Sequence, residues 1–88
     1  MANIKSQIKR NKQNETRRLR NQSIRSELRT KTRNAISAAE AGDADAAREA
    51  LRLAQQRFDT AIAKGVLSKQ TGARRKSRLH RQVEQLLG

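Results

Sequence analysis

The sequence predicts an all-α protein: an antiparallel three-helix bundle with a long, basic N-terminal helix that projects beyond it. Three observations lead there. Proline is absent and the four glycines fall at 42, 65, 72 and 88, so long stretches are free of helix breakers. Those stretches are built mainly from Ala, Leu, Arg, Lys, Gln and Glu, while strand formers are few. Apolar residues recur at helical spacing in three separate segments.

The first segment predicts a helix from about Ser6 to Ala41. Ile24, Leu28, Thr32, Ala35 and Ala39 share one of its faces at about 100° per residue. Ile4, Ile8 and Leu19 fall on the other side, and apart from Leu19 nothing from residue 9 to 23 is apolar. At about 1.5 Å per residue this helix is about 54 Å long, against about 32 Å for the next. Residues 1–23 are therefore expected to form an arm continuous with helix one, and residues from about 24 to 87 the bundle, in a single domain. A polar helix with nothing to pack on is unstable alone, so the arm is expected to fray when free and to order on a partner.

Gly42 stands where a helix ends at positive φ, and Asp43 is placed to cap the next helix. Helix two is expected to run to about Lys64, with Ala47, Leu51, Ala54, Phe58, Ala61 and Ile62 on one face and Gly65 as its stop. Ser68 then caps a third helix that reaches about Leu87. Its apolar face carries Leu79, Val83 and Leu86, with Gly72 among them. A glycine there lets two backbones approach, at a cost of about 1 kcal/mol in helix propensity. Connections this short make neighbouring helices antiparallel.

The core of such a bundle is thin. Hydrophobic residues make up 34% of the 88, against roughly 45–50% in an ordinary globular chain. Small domains are marginal alone, so a partner is expected to contribute stability. Charge names the kind of partner. Lys and Arg total 21, Asp and Glu 8, for a net +13. The excess is uneven. Residues 1–34 carry net +9, residues 35–65 net −1 and residues 66–88 net +5. Arg18, Gln22, Arg25, Arg29 and Arg33 form a stripe beside the apolar face of helix one. Arg74, Arg78 and Arg81 form another on helix three, Arg75 and Lys76 lie at the edges of its apolar face, and Lys69 sits at its start. Helix three runs roughly parallel to helix one, so both basic segments are expected to share one side. A solvated charged face is the ordinary explanation of one stripe, but it leaves unexplained two stripes flanking a nearly neutral helix. Arginine outnumbers lysine 14 to 7, and its planar fork grips phosphates in pairs of hydrogen bonds. A nucleic acid is the expected partner.

The lone aromatic, Phe58, lies on the core face, so there are no stacking platforms of the kind single-strand binders use. Recognition is expected to run through phosphates, 2′-hydroxyls and shape. Cysteine is absent and the heptad pattern is too short and alanine-rich for a zipper, which leans toward RNA over a nucleoid-type DNA-binding protein. A membrane-surface helix would need large apolar residues on its exposed face, and Ile4 and Ile8 are too few. No apolar run approaches the roughly 20 residues that span a bilayer, and MANIKSQIKR lacks an apolar signal core. A cytoplasmic protein is expected. His80 stands alone and makes no metal site. Asp43, Asp45 and Ser68 are explained as caps. No catalytic constellation and no cofactor or small-molecule site is read; an enzyme is not expected.

The segments MANIKSQIKRNKQN, RRLRN at 17–21, LRT at 28–30, AGD at 41–43, AKGVL at 63–67 and ARRKSRL at 73–79 follow one another in an order and at separations that span nearly the whole chain. Together they resemble the bacterial small-subunit ribosomal protein twenty family. That resemblance implies a three-helix bundle embedded in the small (30S) subunit, binding 16S ribosomal RNA directly and early in assembly, without forming a homo-oligomer. It implies that Lys5, Lys9, Arg10, Lys12, Arg17, Arg18 and Arg20 of the arm lie against RNA, as do Arg25, Arg29, Arg74, Lys76 and Arg78. Two places depart from the family pattern. Ser68-Lys69-Gln70 stands where His-Lys-Asn is frequent, and Gly72 where alanine is more usual.

Overall fold

The computed structural model of the chain describes residues 4–88, with side chains from Lys9 onward. It contains three helices, α1 (Ile4–Glu40), α2 (Ala44–Ala63) and α3 (Lys69–Leu87). The described residues contain no strand. The side chains of Ile4, Lys5 and Ile8, for which the sequence carries expectations, lie outside those described.

Local chemistry sets both turns. At the end of α1, Gly42 adopts φ 77° and donates its N–H to the Ala39 carbonyl at 3.1 Å, while the Asp43 N–H reaches back to Ala38 at 3.2 Å. This pair of bonds is the Schellman motif, which needs a residue at ease with positive φ. Asp43 then serves the next helix as well, its Oδ1 accepting the Ala46 N–H at 3.2 Å. The end of α2 repeats the motif. Gly65 adopts φ 74° and donates to Ile62 at 3.1 Å, and the Val66 N–H donates to Ala61 at 2.9 Å. Val66 folds its side chain into the core, the apolar contact that accompanies such a turn. Ser68 Oγ accepts the Thr71 N–H at 3.2 Å and starts α3, as its cap position predicts.

The core follows the predicted faces. Ile24, Leu28, Ala35 and Ala39 of α1, Ala47, Leu51, Ala54, Phe58 and Ala61 of α2, and Leu79 and Val83 of α3 are buried together. Thr32 and Ile62 are half-buried. One expectation fails. Leu86 is 42% exposed, and Leu87 packs against the core instead. The two side chains stand about 100° apart on the helix, and the last turn of α3 meets its neighbours on the Leu87 flank. Among the described residues, five of the twelve buried apolar side chains are alanine, which bring backbones close but bury little area each.

All three helix pairs are in contact, and α1 against α2 is the most extensive. Gly72 is buried where α3 crosses α2 beside Ile62. Two exposed ion pairs bridge the helices, Glu27–Arg57 at 3.6 Å and Asp59–Lys76 at 2.9 Å. Such pairs contribute about 0–1 kcal/mol each and serve mainly to fix orientation. Residues 9–20 of α1 are all exposed. The molecule measures 64 × 21 × 13 Å with a radius of gyration of 17.4 Å, against roughly 12 Å for a compact chain of this length.

Candidate nucleic-acid interface

Helix α1 is continuous from Ile4 through the bundle to Glu40, so one backbone carries the basic residues of both regions. Lys9, Arg10, Lys12, Arg17, Arg18 and Arg20 are all exposed. At about 100° per residue they point around the whole circumference of the helix. One face is better defined. Asn14, Arg17, Arg18, Asn21, Gln22, Arg25, Ser26 and Arg29 line a shallow polar depression along α1. Cationic forks alternate there with amide and hydroxyl groups, an arrangement suited to a sugar–phosphate backbone running along the helix.

Arg25 and Arg29 belong to a second feature too. They form one wall of a groove between α1 and α3, and Arg75 and Arg78 form the other. Its floor is apolar, made by Leu28, Phe58, Leu67 and Leu79, and Thr32 and Gln82 also line it. The groove takes residues 25–32 from α1 and 75–82 from α3, and the ion pairs Glu27–Arg57 and Asp59–Lys76 tie the starts of both stretches to one turn of α2, as parallel helices require. The expectation that the two basic segments share a side is therefore met by four arginines, two from each helix.

The rest of α3 is distributed differently from the predicted stripe. Arg81 lines a separate shallow surface with Gln55, Ala73, Lys76, Ser77 and His80, on the flank that faces α2. Lys76 is tied there to Asp59. Helical spacing places Arg78 and Arg81 about 60° apart, and the helix is rolled so that the two flank its outer face from opposite sides. Arg74 and Lys69 are exposed outside both surfaces, and Arg33 is exposed on α1 beyond the groove. The groove floor and the place of Gln82 in it were not read from the sequence. Gln82 lies four residues after Arg78 and seven after Arg75, a one-face spacing that carries the signal in retrospect.

No acid lines the groove or the polar depression, and half of the eight acids sit on the middle helix or at its cap. Asp43, Asp45, Glu49 and Asp59 belong to α2 or its cap. On that helix Glu49 accepts from Arg52 Nε at 3.0 Å in a two-pronged contact. The hydrogen bond from Arg52 holds the Glu49 carboxyl below its ordinary value and raises the guanidinium in turn. The described residues contain no cluster of His, Cys, Asp and Glu suited to a metal, and no helix is long and apolar enough to cross a membrane.

Known proteins match this chain along its length. The family model described as ribosomal protein S20 matches residues 2–84. A small ribosomal subunit protein bS20 from Streptomyces avermitilis is 51% identical over 88 residues, covering 100% of both chains. Its counterpart from Frankia casuarinae is 52% identical over 81 residues, covering 92% of this chain and 91% of its own. That from Corynebacterium glutamicum is 54% identical over 79 residues, covering 90% and 91%. With its helices, turns and basic faces in the same order as the motifs that suggested it, the chain belongs to the ribosomal protein S20 family.

Proposed function

We propose that this protein is a structural component of the small ribosomal subunit, acting in the cytoplasm, that binds 16S ribosomal RNA directly as a single copy and performs no catalysis. The observation that carries the reading is the meeting of Arg25 and Arg29 with Arg75 and Arg78 across one groove, continuous with the basic face of α1. Four cations held side by side with no acid among the groove's lining residues repel one another. A polyanion relieves that repulsion and releases its own counterions on binding.

The labour is divided along the chain. Residues from about 24 to 87 form the bundle that holds the arginine walls, and the preceding arm extends the same basic surface along the RNA. Lys5, Lys9, Arg10, Lys12, Arg17, Arg18 and Arg20 act there on phosphates, and the arm takes its order from the RNA, its described side chains from Lys9 to Arg20 all being exposed. On the bundle, Arg25, Arg29, Arg75 and Arg78 carry this surface across the groove, and Arg33, Lys69, Arg74 and Arg81, which lie outside it, meet RNA that wraps round the flanks. Lys76 contributes less, being engaged by Asp59. The relatives at about half identity are small-subunit proteins, and no feature of the fold favours duplex DNA.

The test is co-sedimentation. The protein is expected to stay with small subunits through a high-salt wash and to prefer a 16S transcript over duplex DNA in competition. Recovery only in the soluble fraction, or equal affinity for the two polymers, refutes the reading. Circular dichroism with and without the transcript is expected to show helix gained on binding, and no gain refutes ordering of the arm.

A further inference from the structure

The groove between α1 and α3 is not shaped like the open face of the arm. Phosphates need donors, and the exposed stripe supplies them without any floor. Here the floor is Leu28, Phe58, Leu67 and Leu79, none of which offers a side-chain hydrogen bond. An occupant that gains from this site has an apolar flat face and a negative charge beside it. The groove is also short. From Arg25 to Thr32 is seven residues, about 10 Å of helix, too little to seat the apolar face of a partner helix along several turns. Arginine walls suit a flat occupant, since a guanidinium plane stacks on a nucleobase as an aromatic ring does.

We infer that this groove receives one unpaired nucleotide of the bound RNA, its base laid over the leucine floor between the guanidinium walls and its phosphate held at the rim. The inference rests on the RNA-binding reading and deepens it. Arg25 and Arg29 line both the groove and the polar face of the arm, so a backbone followed along α1 arrives at the groove mouth. Thr32 and Gln82 supply the polar groups that meet the edge of the base. A single extruded base is thereby recognised without the aromatic platform that single-strand binders use.

The experiment uses the full chain bound to a 16S transcript, with base accessibility mapped by dimethyl sulfate. Gln82→Trp and Leu67→Trp fill the groove and leave all four arginines in place. The unmodified protein is expected to shield an unpaired base that both variants re-expose, with binding about 10-fold weaker, the order of one lost stacking contact, and an unchanged salt dependence. Gln82 is exposed, so its variant carries the test if Leu67→Trp fails to fold. An unmodified protein that binds RNA and shields no unpaired base overturns the inference and leaves RNA binding standing. So do variants that shield the same base as the unmodified chain, and the groove is then open to solvent or to an acidic protein. Failure of the unmodified chain to bind the transcript overturns both.

Discussion

Alanine at position 72 tests the closest approach in the bundle. A methyl group on Gly72 would lie 2.4 Å from both Cγ1 and Cδ1 of Ile62 and 4.0 Å from its Cβ. Carbon atoms settle at about 3.5–4.0 Å, so two contacts are each short by more than 1 Å. Ile62 is only half-buried and can give way in part, which places the overpacking cost of Gly72→Ala at about 2 kcal/mol, mid-range for an inserted methyl group. Helix propensity returns about 1 kcal/mol. The net effect expected for Gly72→Ala is destabilisation of about 1 kcal/mol. Ile62→Ala clears the space, so in that background the same substitution is expected to stabilise by about 1 kcal/mol. The coupling between the sites is then about 2 kcal/mol, within the range for residues in contact. Urea unfolding of the four proteins, followed by circular dichroism, measures it. A stabilising Gly72→Ala of equal size in both backgrounds refutes the steric argument.

Other outcomes follow from the turns, charges and pairs. Gly65→Ala forces a side chain into φ 74° and is expected to cost about 1–2 kcal/mol in the same unfolding assay; a neutral result contradicts the Schellman account. Binding to a 16S transcript is expected to fall with salt at a log–log slope of about −7 if about 8 phosphates are neutralised, and a flat titration contradicts phosphate recognition. Arg78→Ala is expected to weaken RNA binding more than Lys76→Ala, because Asp59 already engages Lys76; the reverse order in a filter-binding series defeats the placement of the groove. Glu49 has a depressed folded value, so its contribution to stability is present at neutral pH and is lost as pH falls through that value, below the ordinary 4.5. NMR titration of its carboxyl is expected to show the midpoint rising in Arg52→Gln, and an unmoved midpoint removes Arg52 as the cause.

The helices and their ends were legible because they are written in local chemistry. Gly42, Asp43, Gly65 and Ser68 each act within a few residues of themselves, and the structure uses all four as their types suggest. The apolar faces were legible for the same reason, since spacing alone places Ile24 with Leu28 and Leu51 with Phe58. What spacing does not give is the roll of one helix against another. That roll decides between Leu86 and Leu87 for the core, and it parts Arg78 from Arg81. It also makes the groove, whose walls come from segments nearly fifty residues apart and whose floor is shared by all three helices and a turn. An angular position on one helix describes a direction, and only the packing of its neighbours says what lies in that direction.

The drawn-out outline of the molecule, 64 Å by 21 Å by 13 Å, bears on how so cationic a chain holds together before its partner arrives. Ions in physiological solution mute a charge over about 8 Å. Lys9 stands fifteen residues before Ile24, about 22 Å along the helix, beyond the hearing of the bundle's own arginines. Packed into a sphere, the same cations would crowd within a screening length of one another and push the thin core apart. Strung along a rod, most have water for neighbours, and they are brought into dense company only where a polyanion gathers them.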